Sequence, residues 1–235
     1  MKNRLLLFCL ALIAIGCGTN ASDQNSFEKQ KEERWIGLME VKNDSIPFRF
    51  SLLNSKLTLL NGEERIDLFP DTTAKNQIEY SFPQYDSKLI ITFQNSIKII
   101  GYWNYYSKGN YVVPFSAHLD NELVCAPGGQ KSKYQVVFSP GNISSSQIAI
   151  GLFDLAPNNC LTGTFLTESG DYRYLQGERI QNEIWLSCFD GAHLFYFSGT
   201  IKGDSIINGK FLSGYHWEEA WCGVKKDSAK LQHPD

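Results

Sequence analysis

The chain has no Cys-x-x-Cys pair, no Gly-x-Ser-x-Gly turn, no Ser-His-Asp arrangement and no glycine-rich phosphate loop opening a helix. Each absence removes a chemistry. Without Cys-x-x-Cys there is no dithiol whose lowered thiol pKa would support disulfide exchange. Without the other patterns, acyl transfer through an activated serine and nucleotide hydrolysis lose their usual machinery. Four histidines in 235 residues leave few options for general acid–base work. Lysine and arginine total 22 against 25 aspartate and glutamate, a net charge of −3, and no basic run stands out. Such a balance provides no field to gather nucleic acid. Glu218 and Glu219 are adjacent, so on a strand they point to opposite faces and cannot jointly flank a bond. No apolar run reaches the roughly twenty residues of a membrane-spanning helix. Beyond the leader, no segment has the period of an amphipathic helix. The chain reads as non-catalytic and calls for no cofactor.

What is present begins with an export signal over residues 1–16. Lys2 and Arg4 give a positive start, and Leu5 to Ile15 form a short apolar core. Ala14-Ile15-Gly16-Cys17 resembles a bacterial lipobox, which makes Cys17 the expected lipidated N-terminus and the membrane a partner through its acyl chains. Residues 17–33 are small, polar and charged, the composition of a flexible tether. The folded part is then expected in the periplasm or at the outer membrane.

The remaining chain of about 219 residues is long enough for one large or two small β domains. Aromatics make up 13% of the residues, which suits half-buried pleated surfaces. Trp35 to Val41, Ile46 to Leu52 and Lys88 to Phe93 read as strands, with Asn43-Asp44, Asn61-Gly62 and Asn95-Ser96 as the turns between such segments. Turn signals recur about every ten residues, the spacing of an all-β sandwich or barrel.

The halves also match each other. Ser81 to Phe93 aligns with Ser187 to Phe197. Ile100-Gly-Tyr-Trp103 aligns with Asn208-Gly-Lys-Phe211, and Tyr111-Val-Val-Pro-Phe115 with Trp217-Glu-Glu-Ala-Trp221. Upstream, Leu60 to Leu68 can face Leu166 to Tyr174. The expected fold is all-β, two similar antiparallel meanders of about eight strands each, built as a tandem duplication. The first domain would occupy residues 34–120 and the second 133–226, joined by the Pro- and Gly-rich linker 121–132 and followed by a tail, 227–235.

Four cysteines fall in the folded part, Cys125, Cys160, Cys188 and Cys222. An exported location permits disulfides, and three pairings are open; buried thiols serving as small apolar groups fit equally well. Asp190-Gly-Ala-His193 sets a carboxylate and an imidazole around a glycine turn, and His216-Trp-Glu218 repeats the pair two residues apart. Imidazole and carboxylate suit zinc, but no motif fixes their separation, and an Asp-capped turn accounts for the first group without a metal. Glu168, Asp171 and Arg173 are the densest charged group, around the turn Thr167-Glu-Ser-Gly170. They read as an ion-paired network fixing hairpin register, with Glu64 and Arg65 as the counterpart in the first half, or as a patch that meets a client protein. Together Glu168, Asp171, Arg173, Asp190, His193, His216 and Glu218 form the candidate interaction patch, with no catalytic or metal residue assigned.

The runs Gly163 to Tyr174, Phe189 to His193 and Ser213 to Glu219, with Asn61 to Ile66, Gly101 to Trp103 and Pro114 to Ala117, resemble one family. It is the β-rich region preceding the thioredoxin-fold domain of TlpA-like envelope thiol–disulfide oxidoreductases. The resemblance runs from about Arg34 to the C-terminus and includes no thioredoxin domain. It implies a lipid-anchored module that positions a thioredoxin-fold protein or its clients. The other reading is a calycin-like lipoprotein with an aromatic-lined barrel for a small apolar ligand.

Overall fold

The computed structural model describes residues 31–109, 111–120 and 124–231. The leader, Cys17 and nearly all of the expected tether lie outside them. The described residues form no α-helix and build eighteen strands in two antiparallel sheets. The first nine are β1 (Glu33–Val41), β2 (Asp44–Leu53), β3 (Lys56–Asn61), β4 (Glu64–Leu68), β5 (Pro70–Ala74), β6 (Gln77–Phe82), β7 (Ser87–Asn95), β8 (Lys98–Tyr105) and β9 (Tyr111–Leu119). The second nine are β10 (Gln130–Phe138), β11 (Gln147–Leu155), β12 (Cys160–Thr167), β13 (Gly170–Asp171), β14 (Leu175–Ile180), β15 (Glu183–Phe189), β16 (Leu194–Lys202), β17 (Ser205–Ser213) and β18 (Trp217–Lys225).

Both sheets follow one plan. The first strand pairs with the last, β1 with β9 and β10 with β18, and the others follow as hairpins on either side. In the second half β12 pairs with both β11 and β14, so eight strands close into a ring with β13 outside it. In the first half β4 pairs with β3 and β5 with β6, while β4 and β5 are consecutive in the chain and leave the sheet nearly closed. The meander is therefore present twice, as two separate sheets. Gln130 to Ser132, placed in the linker by composition, open β10 instead.

Alternation fixes which side chains fill each barrel. On β1, Trp35, Met39 and Val41 are buried, and on β6 so are Ile78, Tyr80 and Phe82. The two halves share a device at matched positions. Gly101 lies opposite Phe115 and Gly209 opposite Trp221, both across the pair of the last two strands. A Cβ on Gly101 would stand 2.5 Å from the Phe115 ring, and one on Gly209 would stand 2.6 Å from that of Trp221. Each glycine is the gap into which its aromatic partner lies. Trp103, Phe115, Phe211 and Trp221 are all buried, in the positions that the internal alignment makes equivalent.

Two hairpin turns fall one residue later than the asparagine signals place them, at Gly62-Glu63 and Ser96-Ile97, and the first falls one residue earlier, at Lys42-Asn43. The reason is visible at Asn61, a ladder residue only 3% exposed. Its amide donates to Phe189 O at 2.9 Å and accepts from Phe189 N–H at 3.2 Å. It mimics a strand edge for the other half of the molecule, so it is held in the ladder and leaves the turn to Gly62.

Candidate functional site

The two barrels are joined by a seam, and the turn between β15 and β16 is its wedge. Phe189 ends β15 and enters the core of the first barrel, with its ring centroid 5.5 Å from that of Phe48, 5.7 Å from Phe82 and 5.1 Å from Trp103. Leu194 and Leu212 join the same core. Gly191 has φ +92° and lies against Phe82, where a Cβ would come within 2.1 Å of the ring, so both backbone angle and space demand glycine. Its carbonyl accepts from Ser87 Oγ at 2.6 Å and from Trp103 Nε1 at 3.1 Å. At other points of the seam Arg49 meets Glu178 at 2.8 Å and Lys210 meets Asp44 at 2.6 Å.

Asp190 organises the turn. Its Oδ1 accepts from the backbone N–H groups of Ala192 at 2.8 Å and His193 at 2.7 Å. Its Oδ2 lies 3.0 Å from His193 Nδ1 and 3.2 Å from Arg173 Nη1. The same guanidinium donates from Nη2 to Glu64 Oε1 at 2.6 Å. Burial opposes ionisation of Asp190, but the hydrogen bonds from the His193 ring and the two backbone amides outweigh it and hold the pKa below the usual carboxylate value.

Beside the wedge lies an aromatic cleft of about 480 Å³, lined by Trp103, Tyr105, Tyr111, Leu194, Tyr215 and His216. The Tyr111 and Tyr215 rings meet edge to face at 5.0 Å, and Tyr215 N–H donates to the Tyr111 hydroxyl at 2.8 Å. Burial raises the Tyr111 pKa to about 12, so this hydroxyl stays neutral and serves as an acceptor. Trp217, the next residue after His216, is 53% exposed and donates from Nε1 to Glu219 Oε1 at 3.0 Å.

The structure divides the residues singled out from sequence. Asp190, His193 and Arg173 come together, with Glu64 as the fourth member. Asp171 does not pair with the Arg173 guanidinium. Its Oδ1 accepts from Arg173 N–H at 2.8 Å, because the chain leaves β13 after Asp171 and Arg173 takes φ +59°. Glu168 sits on the exposed hairpin turn. His216 lies in the turn before β18, with Nε2 3.3 Å from Ser213 Oγ, and so shares no strand face with Glu218. Glu218 instead meets Lys42 at 3.3 Å across the seam. Among the described residues no three His, Cys, Asp or Glu side chains converge as a metal set. The cleft tyrosines were absent from the sequence-derived patch. Only their abundance marked them, since Tyr105, Tyr111 and Tyr215 meet through long-range folding.

Cys125 and Cys160 form a disulfide that ties the segment between the sheets to β12. Cys188 is buried, and burial pushes its thiol pKa up. Cys222 is partly exposed. Since the thiolate is the reactive form, iodoacetamide on the folded protein is expected to modify Cys222 well ahead of Cys188. Peptide mapping without reductant should recover Cys125 joined to Cys160. Faster modification of Cys188 would refute its assignment as an inert core thiol.

No family model and no curated protein matches the sequence. Among solved structures, HpuA from Kingella denitrificans in complex with human haemoglobin is similar at 13% identity, over 89% of this chain and 94% of its own, with a TM-score of 0.31. A surface lipoprotein shares 10% identity over 82% of this chain and 98% of its own, with a TM-score of 0.30. The isotype 1 transferrin binding protein B from serogroup B Neisseria meningitidis shares 14% over 84% of this chain and 44% of its own, with a TM-score of 0.27. Likeness at this level assigns neither a family nor a function.

Proposed function

We propose that this chain is a lipid-anchored, non-catalytic binding module of the cell envelope, and that the aromatic cleft at the seam receives a protein partner. The cleft itself carries the reading. Trp103, Tyr105, Tyr111 and Tyr215 line an opening of about 480 Å³. Tyrosine and tryptophan combine large apolar area with a polar tip, and they dominate binding hot spots. The charged groups nearby are already engaged: Glu64, Arg173, Asp190, Asp44 and Lys210 hold the barrels together. Cys17 would supply the membrane anchor. The resemblance to TlpA-like chains gives the narrower form, in which the partner is a thioredoxin-fold protein or one of its clients.

The test is site-specific photo-crosslinking of the full chain in its own cells. A photoreactive residue in place of Tyr105 should give a discrete adduct that Tyr215→Ala removes. The same residue in place of Ile180, exposed at the far end of the second barrel, should not give it. Identical adducts from both positions would overturn the cleft as the partner site. An adduct with a protein unrelated to thioredoxins would remove only the narrower form.

A further inference from the structure

The closed barrel is incompletely filled at one end. Where β10, β12, β15 and β17 begin and β11, β14, β16 and β18 finish, a pocket of about 210 Å³ opens. Tyr134, Phe153, Leu161, Ile184 and Ile206 form its apolar floor, and each belongs to the barrel core. Below them Phe165 stacks on Phe197 at 4.3 Å and meets Trp221 at 5.2 Å, which blocks deeper entry.

The ladder register determines what stands above that floor. Arg179 lies directly opposite Ile184, and Lys225 directly opposite Tyr134. Directly opposed residues of an antiparallel pair share a face. Ile184 and Tyr134 point into the barrel, so both cations stand on its inner side, at the rim. The two cations, Lys225 exposed and Arg179 half-buried, set positive charge at the rim above an apolar floor. Arg179 Nε donates to Gln181 O at 2.8 Å, a neutral acceptor, and among the described residues neither cation forms a salt bridge. Asp204 is the one acidic residue lining the pocket, and its backbone carbonyl accepts from Lys225 N–H at 2.7 Å.

We propose that the mouth of the second barrel binds a compact organic carboxylate, its head at the rim that carries Arg179 and Lys225 and a short apolar body on the floor. The size follows from the volume. At water's share of about 30 Å³ per molecule the pocket holds roughly seven waters, so a ligand of about seven to ten heavy atoms fits and a long acyl chain does not. The Tyr134 hydroxyl, at the edge of that floor, is kept neutral by burial and by the nearby Asp204 carboxylate, so it adds no negative charge of its own there. This site is separate from the aromatic cleft and stands or falls independently of it.

Titration calorimetry on the full chain distinguishes the terms, with hexanoate, hexanol and dodecanoate as probes. Hexanoate should bind at least tenfold more tightly than hexanol, which lacks the charge, and than dodecanoate, which exceeds the pocket. Arg179→Gln and Lys225→Gln are rim changes expected to leave the melting temperature unchanged. Each should weaken hexanoate about tenfold, a loss of roughly 1.4 kcal/mol, without affecting hexanol. Equal binding of hexanol, tighter binding of dodecanoate, or unchanged hexanoate affinity in both variants would overturn the proposal. So would no heat of binding at about 10 mM hexanoate, a concentration that detects even millimolar affinity.

Discussion

Trp221→Ala is expected to lower the unfolding free energy by roughly 3–5 kcal/mol, measured by chemical denaturation. Trp221 is 1% exposed and its ring closes the gap over Gly209. It meets Phe165 edge to face at 5.2 Å, and its Nε1 donates to Lys210 O at 3.2 Å. Truncation removes a large apolar area from the core and leaves a cavity that a closed ring of eight strands cannot collapse around. A small domain has only about 5–15 kcal/mol of stability in total, so this one change consumes a large share. Phe115→Ala, the matched change over Gly101, should act in the same direction in the first barrel. Glu219 offers a contrast. It accepts from Ser139 Oγ at 2.8 Å and from Trp217 Nε1 at 3.0 Å, so Glu219→Ala should cost about 1 kcal/mol. If Trp221→Ala were neutral in stability and instead abolished partner binding, that ring would be an exposed contact and the core assignment would be wrong.

Asp190→Ala is the second large effect, also roughly 3–5 kcal/mol, because it leaves Arg173 Nη1, which Glu64 does not reach, and two backbone N–H groups without their acceptor in a buried turn. The same group sets a pH dependence. Its folded pKa lies below the ordinary carboxylate value near 3.9. The unfolded chain therefore takes up its proton first as pH falls. The stabilisation is complete above the unfolded pKa and is lost progressively as pH drops through the folded one. The stability gap between wild type and Asp190→Asn should be constant near neutrality and close below about pH 4. Parallel stability curves down to pH 2 would remove Asp190 from the group that holds the seam.

How much of this was legible in the sequence depends on the range of the interaction. Gly101 with Phe115 and Gly209 with Trp221 leave a written trace, because a glycine followed on the next strand by an aromatic recurs in the same order in both halves. The duplicated meander could be read from that pattern together with the turn signals. The turn at Asp190-Gly191 was also legible, since Asp caps and Gly bends wherever they sit. Its burial in the opposite barrel was not, because Phe48, Phe82, Ser87 and Trp103 are about a hundred residues away and carry no local mark of that contact. Asn61 failed for the same reason. Its side chain reads as a turn former, and only the approach of Phe189 gives it another task. Arg173 was read as pairing within its own hairpin, but its partners are Glu64 and Asp190 and not its neighbour Asp171. Cys125 with Cys160 was one of three open pairings, and spacing alone could not choose among them.

The pairing of first strand with last has a mechanical consequence. Force transmitted through the residues before Glu33 enters β1, which lies in the interior of its sheet with nine partner positions on β2 and five on β9. A pull along that strand loads the ladders on both sides in parallel, so its hydrogen bonds must shear together and cannot unzip singly from an edge. A body held at its N-terminal end and gripped at the seam would thus carry tension through one of its most resistant strands. The exposed edge strand β5 would stay outside the load path.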